Sequence, residues 1–215
     1  MKIKPFLLTI TFLALGYPAT LRAADEAHFV RTTVPRDEAR ILALAGVREF
    51  RCDYQLGHFS GQTLLIAELY EDGKCAHRYR MSPAVYDNKK KTDKGIISIG
   101  WNTNLNALVT VNDNDEFYSP WTVSVVIPGF RPLDGHFFEN SKAETRSPDD
   151  PQSVPYSLYP VLGLCGDRTL KISYDWDADV PKYLGACKAA GARQVIIVYL
   201  YQSAFGEEPS MRFDK

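Results

Sequence analysis

Residues 63–80 read TLLIAELYEDGKCAHRYR: an apolar run, a short polar turn and a returning stretch of alternating character. Glu71-Asp72-Gly73-Lys74 is the turn, because Asp and Gly tolerate the positive φ that tight hairpin turns demand. The run over 63–70 is then a strand. Its partner is expected to place Cys75, His77, Tyr79 and Met81 on one face and Arg78 and Arg80 on the other. Upstream, Phe50, Cys52 and Tyr54 alternate against Arg51, Asp53 and Gln55, the pattern of a strand with one wet face. Cys52 and Cys75 are on this reading both core-facing. Downstream, a polar stretch at 82–94 with Lys89, Lys90, Lys91 and Lys94 reads as an exposed loop, after which Ile97, Ile99 and Trp101 alternate again. A second hairpin follows. Stretches 105–111 and 117–127 flank Asn112-Asp113-Asn114-Asp115, and Trp121, Val123 and Val125 oppose Thr122 and Ser124. Consecutive strands joined by short polar turns make an antiparallel β-meander, sandwich-like or a partly closed barrel.

The ends of the chain add helices, so the expected fold class is α+β. Thr33 is placed to cap a short N-terminal helix through Asp37, Glu38, Ile41, Leu42 and Leu44, with Gly46 ending it. Towards the C-terminus, Leu170, Ile172, Tyr174 and Trp176 form one face of a strand. Asp179 caps a helix in which Val180, Tyr183, Leu184 and Cys187 share a side, Gly191 ends it, and 195–201 is a buried strand. A right-handed crossover would make the two strands of this strand-helix-strand unit parallel. Between the halves, 128–155 loses periodicity and collects five prolines, which reads as a long irregular loop or linker. The expected organisation is thus a signal peptide over 1–23, a helix and meander over 24–127, the loop over 128–155, and the C-terminal unit over 156–215 on the same core.

The first 23 residues carry the address. Lys2 and Lys4 precede the uncharged run 6–16, and Pro18 and the small pair Ala23-Ala24 follow, the layout of a cleaved secretory signal. An eleven-residue run covers about half of a hydrocarbon core, so no permanent transmembrane span is expected. The expected localisation is secreted or periplasmic. Loss of Lys2, Lys4 and Arg22 lowers 25 basic side chains to 22 against 26 acidic ones, a net of −4, which argues against a nucleic-acid partner. Twelve tyrosines, eleven phenylalanines and three tryptophans suit strands better than a helical bundle. The four cysteines are an even number in an oxidising compartment, and the spacing suggests Cys52–Cys75 and Cys165–Cys187 bridges.

Chemistry-bearing patterns are sparse. The four histidines stand apart from any GxSxG elbow, phosphate loop or HExxH motif. His136 and Glu139 are three apart in the long loop, a fragment that a secreted hydrolase would use as a general base, and with Phe137 and Phe138 they make that loop the expected binding region. Cys75-Ala76-His77 is the best metal fragment but has no second ligand pair, and Asp175, Asp177 and Asp179 lack the glycine and closing glutamate of a calcium loop. No metal or cofactor is therefore expected. Trp101, Trp121 and Trp176 would serve a carbohydrate-binding module if exposed, yet all three fall on faces assigned to the core. The functional expectation is a noncatalytic binding or envelope protein-interaction module, its partner an envelope or extracellular protein or polymer; the carbohydrate-binding module and the hydrolase are its alternatives.

One local similarity bears on this. Asp177-Ala178-Asp179-Val180-Pro181-Lys182-Tyr183 and Lys188-Ala189-Ala190-Gly191-Ala192-Arg193-Gln194-Val195, within 170–198, resemble the end of the periplasmic domain in the ExbD/TolR family. That family transmits proton-motive energy to envelope partners, so the resemblance implies an envelope protein-protein role. The helix here is shorter by more than a turn, the run 6–16 has no counterpart of the family's membrane aspartate, and the meander is extra. No site residue is carried over.

Overall fold

The computed structural model describes residues 28–55, 61–81, 85–86, 94–102, 108–113, 121–126, 130–139, 142–146, 156–166, 170 and 178–204. Along the chain these form β1 (His28–Thr32), α1 (Arg36–Leu44), β2 (Val47–Gln55), β3 (Gly61–Glu71), β4 (Lys74–Arg80), β5 (Val85–Tyr86), β6 (Lys94–Asn102), β7 (Leu108–Asp113) and β8 (Trp121–Val126). They continue with β9 (Pro132–Phe137), β10 (Glu144–Arg146), β11 (Tyr156–Gly166), α2 (Val180–Ala189) and β12 (Gln194–Ala204). The expectations for 1–23, the lysine-rich loop around 87–93, the strand at 170–176, Asp175 and Asp177, and the tail beyond 204 fall outside the described residues, apart from Leu170. Among the described residues no helix is long and apolar enough to cross a membrane.

Two antiparallel sheets result, and neither closes into a barrel. The first has the order β1-β2-β6-β7-β8, and the second β10-β11-β12-β3-β4, with β5 beside β3 and β9 beside β11. Phe50, Cys52, Tyr54, Ile97, Ile99 and Trp101 of the first sheet meet Leu65, Ala67, Leu69, Leu162, Leu164, Val198 and Leu200 of the second in one apolar core. The opposite face of the second sheet is covered by α2, whose Val180, Tyr183 and Cys187 pack on Leu64, Ile66, Leu158 and Ile197. Strands β3, β11 and β12 are therefore buried on both faces, which explains why they read as nearly unbroken apolar runs while β2 alternates. The hairpin turn is as expected: Asp72 and Gly73 take φ of 51° and 82°, so Gly is needed here for its freedom at positive φ. Asp179 caps α2 by accepting from the Lys182 N–H at 2.8 Å.

Three expectations are corrected. The Cys52–Cys75 pairing fails because β4 carries a bulge: Leu69 faces His77 and Tyr70 faces Cys75, leaving Ala76 as the extra residue. Cys75 is thereby carried to the α2 side of the second sheet and exposed, while Cys52 is buried between the sheets, so the two lie on opposite sides of that sheet. The same bulge separates Cys75 from His77 as a metal fragment. The stretch 128–155 is not wholly irregular, since it supplies β9 and β10 to the edge of β11. Both edges of β12 are taken by antiparallel partners, β11 and β3. Finally, α1 begins two residues later than Thr33 implied: Pro35 is at the N-cap, with no side-chain cap.

Candidate functional site

Strand β1 pairs with Arg51–Gln55 of β2, so among the described residues the leading half of β2 has no strand neighbour on that edge. The chain leaves β1 at Thr32, turns, and lays α1 alongside the open edge. Helix α1 is docked loosely: none of its residues is buried, and Ile41 and Leu44 remain 68% and 90% exposed. Val34 and, on α1, Ala39, Leu42 and Ala43 line a cavity of about 310 Å³ whose lining also includes Gly135 and Phe137 of β9. This volume is at the lower end of the range for small-molecule sites.

The floor of the cavity is aromatic. Phe50 and Phe137 meet at 4.9 Å between ring centroids, and Trp101 and Leu162 complete the apolar wall. Trp101 is only 6% exposed, and its Nε1 is buried with no hydrogen-bond partner. Such an orphan donor typically costs about 1–3 kcal/mol, and with under 1 Å² of accessible surface it does not open into the cavity. The polar rim is cationic. Arg31, which shares the inner face of β1 with Phe29, holds its guanidinium carbon 5.9 Å from the Phe50 centroid and has no ion pair among the described residues. Arg48 also lines the cavity. Glu49 is the one carboxylate among the lining residues, and it is engaged: its Oε1 accepts from Arg51 Nη2 at 2.8 Å and from the Ser98 hydroxyl. Arg51 also donates to Glu38 of α1 at 2.9 Å, tying the helix to β2, and these partners raise the guanidinium above its ordinary pKa, the Glu49 hydrogen bond most of all.

A second polar cluster lies on the α2 side of the second sheet. Glu68 of β3 has no exposed surface, and its Oε1 accepts from Arg78 Nε at 2.8 Å and from Arg146 Nη1 at 2.7 Å. Its Oε2 accepts from the Tyr70 hydroxyl at 2.6 Å, which in turn lies 3.2 Å from the Tyr199 hydroxyl. Arg146 Nη2 donates to Glu144 at 2.9 Å. Burial first, then the neighbouring Glu68 charge and phenols, push the Tyr70 and Tyr199 phenols well above their ordinary pKa. Two guanidiniums balance two carboxylates, so the cluster closes on itself and clamps β10 to β3 across two intervening strands.

The expected loop site is divided by strand alternation. His136 faces Gly163 and stacks on the Tyr183 ring at 5.3 Å, on the α2 side; Phe138 is buried in that same layer; Glu139 is exposed at the turn after β9. Phe137 alone points between the sheets, into the cavity wall. Trp101 is a core residue, and the side chains of Trp121 and Trp176 are outside what is described. The chain matches no family model, no curated protein and no solved structure. The resemblance over 170–198 thus rests on those residues alone.

Proposed function

We propose that the protein is an exported, noncatalytic binding module that holds a small, apolar-bodied ligand in the cavity between α1, the open edge of β2 and β9. One observation carries the reading: a cavity of about 310 Å³ opens beside the loosely docked α1, with Arg31 and Phe137 in its lining. The lining supports binding rather than conversion, because among the described residues its one carboxylate is held by Arg51 and Ser98 and it includes no histidine, cysteine or hydroxyl side chain. The export half of the reading rests on the composition of residues 1–23. The region of contact moves from the whole 128–155 loop to Phe137 and its surroundings.

The neutral dye Nile red tests this. The purified chain is expected to take it up with an increase and blue shift of its fluorescence, and Ala43→Phe, which fills the cavity from an exposed helix, is expected to abolish the uptake without lowering the melting midpoint by more than a degree or two. Uptake unchanged in Ala43→Phe would place the dye elsewhere and contradict the reading.

A further inference from the structure

We infer that α1 is a hinged strap over this cavity, latched by the Glu38–Arg51 pair, and that its swing off the open edge of β2 is the step that admits the ligand; this rests on the binding reading above. None of the nine residues of α1 is buried, and Glu38 and Leu42, four apart and so on one side of the helix, are only half-buried. The end groups bond within the strap itself: the Ala39 N–H donates to the Pro35 carbonyl, the Ala45 N–H to that of Ile41 and the Gly46 N–H to that of Ala43. The helix therefore keeps these bonds as it moves. Hinges stand at both ends, with Thr33, Val34 and Pro35 between β1 and α1, and Ala45 and Gly46, the latter at φ 71°, between α1 and β2. The latch is built to release. Arg51 Nη2 donates to Glu38 at 2.9 Å and to Glu49 at 2.8 Å, and its Nε donates to Glu49 at 3.2 Å. When α1 lifts, Arg51 keeps both bonds to Glu49, so no buried charge loses its last partner, and Glu38, already 44% exposed, passes into water. What opens is the wall that Ala39, Leu42 and Ala43 give the cavity.

Stopped-flow uptake of Nile red and native-state hydrogen exchange of the full chain test this with two variants. Glu38→Gln removes the charge of the latch. Asp37→Asn removes the same charge from the same helical turn at a side chain 94% exposed and 3.9 Å from Arg40, and leaves the latch whole. In the unaltered chain the α1 amides are expected to exchange faster than those of β3 and β12, by local opening without global unfolding. Glu38→Gln should speed α1 exchange, dye association and dye release together by about two- to fivefold, the worth of a partly exposed ion pair. Exchange in β3 and β12 should not change, and Asp37→Asn should leave the dye rates as they are. Amides of α1 that exchange no faster than those of β3 and β12, dye rates unmoved by Glu38→Gln, or equal acceleration by both variants would each overturn the inference, while dye uptake itself leaves the cavity reading standing. Absence of uptake by the unaltered chain would remove the binding reading and the gate with it.

Discussion

Glu68 is the residue whose environment departs furthest from what its neighbours in the chain suggest. It is the lone charge in the apolar run 63–70, and burying it is tolerable only because two guanidiniums and a phenol supply its hydrogen bonds. Taking the carboxylate away would leave Arg78 and Arg146 without the charge they share, and Arg146 with Glu144 alone. Glu68→Ala is therefore expected to cost about 3–5 kcal/mol in urea unfolding, the usual penalty for breaking a buried pair from one side. A loss below 1 kcal/mol would mean that the cluster contributes little to stability. The partnership was not legible in the sequence for a definite reason. Counting back from the Asp72-Gly73 turn without a bulge pairs Glu68 with His77, and only the extra Ala76 brings Arg78 opposite it. The same single-residue slip moved Cys75 off the core face. Period-2 patterns predict faces well until a bulge intervenes, and nothing in Lys74–Arg80 announces one.

At the scale of elements, helix α2 was readable because every signal agreed: the Asp179 cap, Pro181 in the first turn, the shared side of Val180, Tyr183 and Cys187, and Gly191 at its end. Its placement also follows from one contact. The Tyr183 ring lies so close to Gly163 of β11 that a Cβ there would sit 2.5 Å from the ring, so glycine is required at that position by the approach of the helix. From this point α2 advances one turn, about 5.4 Å, to Cys187, and β11 advances two residues, about 6.8 Å, to Cys165 on the same face. The two thiols meet, both buried, and the Cys165 contact together with burial raises the Cys187 thiol far above its ordinary pKa. They are unbonded in the structure. Refolding with oxidised glutathione, which accepts the two electrons as the thiols give up their protons and becomes two reduced thiols, is expected to form Cys165–Cys187 and leave Cys52 and Cys75 alkylatable. Such a bridge would add on the order of 3 kcal/mol if unstrained. Nonreducing peptide maps showing four free thiols, or a Cys52–Cys75 link, would contradict this placement of α2. Helix α1, by contrast, was legible as a helix but not in its docking. Apolar residues at Ile41 and Leu44 suggested a core face, yet both are exposed, and it is Ala39, Leu42 and Ala43 that line the cavity, together with Gly135 and Phe137 of β9.

For the whole molecule, two sheets share one core and one helix closes the second face. Strands β3, β11 and β12 are buried on both sides, and the clamp through Glu68 fixes the outer face. At the opposite end of the scale of packing, β1 stops short and α1, none of whose residues is buried, lies over the cavity with Ala39, Leu42 and Ala43. The alternating and apolar runs made the meander legible, because burial on one or two faces writes itself into period-2 patterns. The cavity was not, because its lining comes from six separate elements, β1, α1, β2, β6, β9 and β11, that meet only in the fold. Its role as a ligand site is the central claim, and a Nile red titration followed in an amide-correlation spectrum tests it directly. The dye is expected to shift the backbone amides of Ala39, Leu42, Ala43 and Phe137, which line the cavity, and to leave them in place in Ala43→Phe. Binding that saturates while those amides stay in place would show that the dye occupies some other part of the molecule.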